Sequence, residues 1–278
     1  MPITQAAPRV LLCFLLDRSA SMAEPPQGPW ATKADLAAAA LNECLGQMID
    51  QASASGLEEA VDVEVLGYHT DRLARPITGS LLPVGPAPTL GQLGRSPSRT
   101  EARVREVLDE YSGDIVEESY EVPLWIGPEA SGGTPMVGAM RACWNALELW
   151  AKRNPLGAPP VVVHVTDGRS RDGDPADVGA DRRPAVLITC RLATRGAPFM
   201  GGDSLEETLA RMSSPWPLAF LRTAAAESPQ LRLEPGSRAM IYSADAGALR
   251  DVLDLVTRVA LAPGESASGP SGWETSAR

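Results

Sequence analysis

The chain has 278 residues, enough to bury a full core as one large domain or as one domain with a long insertion. Its 44% hydrophobic and 22% charged residues match a globular, water-soluble chain, and no apolar stretch approaches the ~18 residues that a membrane helix needs. A formal net charge of −10 argues against a nucleic-acid backbone as the main partner.

The opening MPITQAAPRV lacks the basic region that precedes a secretory apolar core, so the expected location is cytoplasmic, with no membrane partner. Cys13, Cys44, Cys143 and Cys190 lie far apart in apolar patterns and form no C-x-x-C pair. They read as buried thiols and not as a disulfide or zinc framework.

In chain order, Val10 to Leu16 is a continuous apolar run, the pattern of a strand buried on both faces of a parallel sheet. It ends in Asp17-Arg18-Ser19-Ala20-Ser21, a D-x-S-x-S run placed where open α/β sheets bind their ligands. Leu36, Leu41, Cys44, Leu45, Met48 and Ile49 then recur at helical spacing. Residues 61–68, VDVEVLGY, alternate apolar and polar as a half-exposed strand does.

Residues 71–130 differ from the rest and read as a long insertion. The first part is rich in Pro and Gly. Ser98 to Glu101 gives a capping-box signature, and Val104, Val107, Leu108 and Tyr111 follow at helical spacing, so a short helix ending near Gly113 is expected.

In Ser131-Gly132-Gly133-Thr134-Pro135-Met136, threonine is a good N-cap and proline favours the first helical position. A helix with Met136, Met140, Cys143, Leu147 and Trp150 on one face should run from here to Asn154-Pro155. Val161 to Thr166 is the next buried strand and runs into Asp167-Gly168. Residues 184–190 and 238–243 read as further strands. Helices are expected over 204–212 and 216–226 and after Asp245, with Asp203 and Asp245 as caps. The stretch 263–278 lacks the apolar content to fold and reads as a disordered tail.

The implied class is α/β, a doubly wound, mostly parallel central sheet flanked by helices, spanning residues 9–260 as a single domain. Such a sheet brings Asp17, Ser19, Ser21, Thr134 and Asp167 to one edge. All five offer hard oxygen donors, which suit Mg²⁺, Mn²⁺ or Ca²⁺ and suit zinc poorly.

The ordered set D-x-S-x-S, G-G-T-P and T-D-G resembles the metal-ion-dependent adhesion site (MIDAS) of von Willebrand factor type A (vWA) domains. That resemblance implies a Rossmann-like vWA fold with Ser19, Ser21 and Thr134 as hydroxyl ligands and Asp17 and Asp167 as carboxylates. It implies a non-enzymatic, metal-dependent module that engages a partner protein's Asp or Glu carboxylate. The compact start and the G-G-T-P-M form look most like bacterial TerY-like members, which implies intracellular signalling or stress response beside kinase and phosphatase pathway proteins. Arg18 and Ala20 depart from the family's usual small polar residue and glycine.

Two other readings compete with this one. A Mg²⁺-dependent phosphohydrolase also carries an aspartate after its first strand, but it needs a second acid two residues on, where Ser19 stands, and a lysine, whereas Lys33 and Lys152 fall in helix patterns. A nucleophilic Ser19 or Ser21 with His69 or His164 as base lacks a G-x-S-x-G elbow. An α/β scaffold with a purely structural metal is the plainest alternative.

Overall fold

A computed structural model describes residues 8–26, 31–108, 113–179, 185–193, 204–243 and 246–262. The elements run β1 (Val10–Asp17), α1 (Lys33–Ser55), β2 (Val61–Thr70), β3 (Pro76–Ser80), α2 (Leu90–Gly94), β4 (Arg99–Leu108) and β5 (Ile115–Leu124). They continue with α3 (Met136–Arg153), β6 (Val161–Thr166), β7 (Val186–Leu192), α4 (Ser204–Met212), α5 (Leu218–Glu227), β8 (Met240–Ser243) and α6 (Ala246–Leu261).

Six strands form one sheet in the order β3-β2-β1-β6-β7-β8, parallel throughout except for the β2–β3 edge pair. Every residue of β1 is buried, because helices cover both faces of the sheet. Leu12, Phe14 and Leu16 point into a core shared with α1, α5 and α6, while Leu11, Cys13 and Leu15 point into a core shared with α3 and α4. Each such side chain contributes roughly 1.5–3 kcal/mol by leaving water. The expected α/β class and mostly parallel, helix-flanked sheet are therefore present.

The chain winds outward from β1 through β2 to β3 and then returns to pair β6 on the other side of β1. Loops leaving β1 and β6 meet at this reversal, at the strands' C-terminal ends, where open α/β sheets place their ligands.

Two expectations fail in instructive ways. The stretch 61–68 is an interior strand, buried throughout, and its polar residues point into the fold. Asp62 accepts from Trp150 Nε1 at 2.7 Å and pairs with Arg9, and Glu64 accepts from Ser80 Oγ at 2.6 Å and Ala87 N at 2.8 Å. Alternation marked satisfied buried acids here, not a wet face.

The helix expected after Ser98 is instead β4, paired with β5 from Arg99↔Leu124 to Leu108↔Ile115 as a separate two-stranded ribbon. Ser98 Oγ donates to the Trp125 carbonyl at 2.7 Å instead of capping a helix. Cross-strand contacts decide the conformation: Arg105 pairs with Glu118 and lies over the Tyr120 ring at 5.2 Å. At the ribbon's return, Asn42 Oδ1 on α1 accepts from Trp125 N at 2.8 Å and Ile126 N at 3.1 Å. The Pro/Gly-rich part before it holds β3 and α2, the latter opened by a Thr89–Gln92 capping box.

The remaining elements fall within a few residues of expectation. Asp203, Asp245 and the tail 263–278 lie outside the described residues. Cys13, Cys44, Cys143 and Cys190 are free and buried, as expected. Among the described residues, no helix is long and apolar enough to cross a membrane.

Candidate functional site

Asp17 is the last residue of β1 and is only 2% exposed. Its Oδ1 accepts from the Ser19 backbone N–H at 2.8 Å and its Oδ2 from Thr166 Oγ1, at the end of β6, at 2.6 Å. The chain then turns through a short 3₁₀ segment, Ala20–Ala23, which puts Ser19 Oγ and Ser21 Oγ 3.1 Å apart. Ser21 Oγ donates to Asp167 Oδ1 at 2.7 Å. The two aspartates, one from each strand at the reversal, are thus joined through the serine loop.

Thr134 arrives from a third loop. That loop is fastened to the first by Ser131 N–H on the Arg18 carbonyl at 2.7 Å and Ala20 N–H on the Gly132 carbonyl at 3.0 Å. Gly132 has φ +66°, and a Cβ there would collide with the Thr70 carbonyl, so glycine is required. A Cβ built at Gly168 would lie 3.6 Å from Ser21 Oγ and 3.7 Å from Thr134 Oγ1, so both hydroxyls border the same point. All five sequence-predicted residues therefore converge.

Thr134 was expected as the N-cap of α3, but Pro135 holds that position and makes no side-chain cap. Asp172, from the loop after β6, supplies the cap by accepting from Val137 N at 2.9 Å and Gly138 N at 2.8 Å. An acid from elsewhere satisfies the helix, and the threonine hydroxyl stays with the cluster.

Several contributors escaped sequence reasoning. Thr166 steers Asp17 from below, and its only signal was a polar residue closing an apolar strand. Tyr68, fully buried on β2, bonds His164 Nε2 at 2.9 Å and lies against Asp17 and Thr166. Burial drives the His164 pKa down to about 3, so the imidazole is neutral. Burial pushes the Asp17 carboxyl up, against the hydrogen bonds of Ser19 and Thr166, with the Asp167 charge adding to the rise. Lys33, read as an ordinary helix residue, places Nζ 2.7 Å from Asp167 Oδ2 and 3.1 Å from Glu24 Oε2. Its side chain is 5% exposed and that of Asp167 2%. At the rim, Arg18 pairs with Glu129.

The cluster thus consists of two buried carboxylates, the four hydroxyls of Ser19, Ser21, Thr134 and Thr166, and one ammonium. Among the described residues, no group of three or more His, Cys, Asp or Glu could hold a metal ion.

No family model and no curated protein matches this chain. Solved structures share its fold. The pilus adhesin SpaC from Lactobacillus rhamnosus GG matches with TM-score 0.54 at 12% identity, over 91% of this chain and 31% of that protein. The same adhesin in its open conformation matches with TM-score 0.51 at 11% identity, over 91% of this chain and 30% of that one. The PilB minor pilin from Streptococcus sanguinis matches with TM-score 0.51 at 10% identity, over 93% of this chain and 62% of that one. This chain therefore spans less than two thirds of each of these proteins, and at such identities the likeness is one of fold.

These findings correct the sequence reading. Identification as a vWA or TerY-like protein is overturned: no family model supports it, and the solved structures that share the fold are a pilus adhesin and a minor pilin. The expected MIDAS signalling module and its cytoplasmic location fall with it, and the kinase and phosphatase setting is left without support. The physical reason is that short polar runs gather at the C-terminal ends of parallel strands in many α/β proteins, so three such runs report the sheet's geometry before they report a family.

Proposed function

We propose that this chain is an adhesion-type domain of a surface-exposed, pilus-related protein, with the Asp17–Ser19–Ser21–Thr134–Asp167 cluster as its contact point for a macromolecular partner. The observation that carries the reading is the convergence of these five side chains from three loops at the β1/β6 reversal. The fold's likeness to a pilus adhesin and a minor pilin, over nine-tenths of this chain, supports the setting.

The reading is non-enzymatic. Ser21 Oγ is spent on Asp167 and His164 Nε2 on Tyr68, an arrangement that favours recognition over nucleophilic attack. We further propose that the cluster accepts a divalent cation, Mg²⁺ or alternatively Mn²⁺ or Ca²⁺. Two buried carboxylates face a single ammonium, and the surrounding hydroxyls are hard donors, which fits such an ion. Asp17, Ser19, Ser21, Thr134 and Asp167 would hold it, and it would offset the charge of the two buried carboxylates.

Antibody labelling of intact and lysed cells of the source organism tests the setting. Labelling of intact cells is the expected result. Labelling that appears only after lysis would overturn it.

A further inference from the structure

Lys33 occupies an unfavourable place. It is the first residue of α1, whose N-terminus is closed by a Thr32–Asp35 capping box, and a cation there opposes the helix dipole. Its side chain is also almost wholly buried. Both penalties are offset by two contacts, at 2.7 Å with Asp167 Oδ2 and at 3.1 Å with Glu24 Oε2. Asp167 is the carboxylate that Ser21 binds through its other oxygen, so the ammonium sits at the edge of the cluster.

A second acceptor is already engaged. Glu24 Oε2 lies 3.1 Å from Nζ, and the Glu24 side chain is 65% exposed. Glu24 directly follows the 3₁₀ segment that carries Ser21, and its backbone N–H bonds the Ser21 carbonyl at 3.0 Å.

We propose that Lys33 is a tethered counter-ion that competes with a divalent cation for Asp167, yielding that carboxylate when the ion enters while keeping its bond to Glu24. The proposal rests on the cation reading of the cluster. With Lys33 bridging Asp167 and Glu24 the buried carboxylate is neutralised within the chain, and with Lys33 on Glu24 alone it is free to serve an ion. The lysine thereby sets the cation concentration at which the site fills, and it ties filling to the position of the Ser19–Ser21 loop.

Titration of the full chain with Mn²⁺, followed by loss of the free-ion electron paramagnetic resonance signal, tests this. Lys33→Met should bind Mn²⁺ at least about tenfold more tightly than wild type, because a like charge next to the ion is removed. Its thermal midpoint should rise with Mn²⁺ by more than that of wild type, a response that a merely structural lysine would not give. Lys33→Gln, which keeps a donor on Asp167 without the charge, takes its place if Lys33→Met does not fold. Unchanged or weaker binding by these variants, with wild-type binding abolished by Asp17→Asn, would overturn the competition and leave the cation reading standing. Absence of Mn²⁺ binding in wild type and variants alike would overturn both.

Discussion

Asp17 is held at a cost to stability, and two substitutions separate its parts. Removing the carboxylate in Asp17→Ala leaves the Ser19 N–H and the Thr166 hydroxyl, both buried, without their acceptor. Each orphaned group costs about 1–3 kcal/mol, partly offset by relief of a desolvated charge, so Asp17→Ala should lose about 3 kcal/mol. Asp17→Asn keeps the shape and an acceptor while removing the charge. Burial raises the folded-state pKa of Asp17, so the stability linked to its proton is complete below the unfolded value and is lost as pH rises through the folded one. Above the unfolded value the desolvated carboxyl is therefore a burden, and Asp17→Asn should equal or exceed wild type at pH 7. Urea unfolding at pH 7, with the slope of the transition checked for constancy, measures both. Asp17→Ala within about 0.5 kcal/mol of wild type, or Asp17→Asn as unstable as Asp17→Ala, would refute the reasoning.

Other expectations follow from the same contacts. His164 stays neutral in the fold down to about pH 3, whereas the unfolded imidazole gains its proton near 6.5, so stability should fall as pH drops between these values. Between pH 7 and 5 wild type should lose about 2 kcal/mol more than His164→Gln in matched urea melts, and equal losses would contradict the assignment. Gly132→Ala forces a Cβ onto the Thr70 carbonyl at positive φ and should cost about 3 kcal/mol while displacing the Thr134 loop. A melting temperature within a degree or two of wild type would argue against that packing. Asn42→Ala removes the side chain that bonds Trp125 and Ile126 and should cost about 2–4 kcal/mol, with faster amide exchange at both residues. Unchanged exchange there would show that the ribbon is anchored by other means.

Much of the site was legible because a buried parallel strand announces its own end. Val10–Leu16 and Val161–Thr166 are apolar runs that stop at Asp17 and Asp167, and one sheet brings those ends together. Lys33 was not legible, since its meaning depends on an acid 134 residues away. The role of Asp172 was hidden for the same reason, since it caps a helix that begins far earlier in the chain. The β4–β5 ribbon was read as a helix because Val104, Val107 and Leu108 happen to fall at helical spacing, and only the facing residues of β5 turn that segment into a strand. Alternation in β2 was taken for exposure, although Arg9, Trp150 and Ser80 satisfy its acids inside the fold. Family identity is a separate matter from site geometry, because strand-end loops of this composition arise wherever such sheets bind anything.

Attachment tests the central claim most directly. Beads coated with wild-type protein or with the equally folded Asp17→Asn variant would be scored for retention under flow on immobilised extracellular macromolecules, protein and polysaccharide alike. The account predicts that wild-type beads are retained and that Asp17→Asn lowers retention at least about tenfold, because the contact is made at the cluster. Equal retention of the two, or retention of neither, would contradict it.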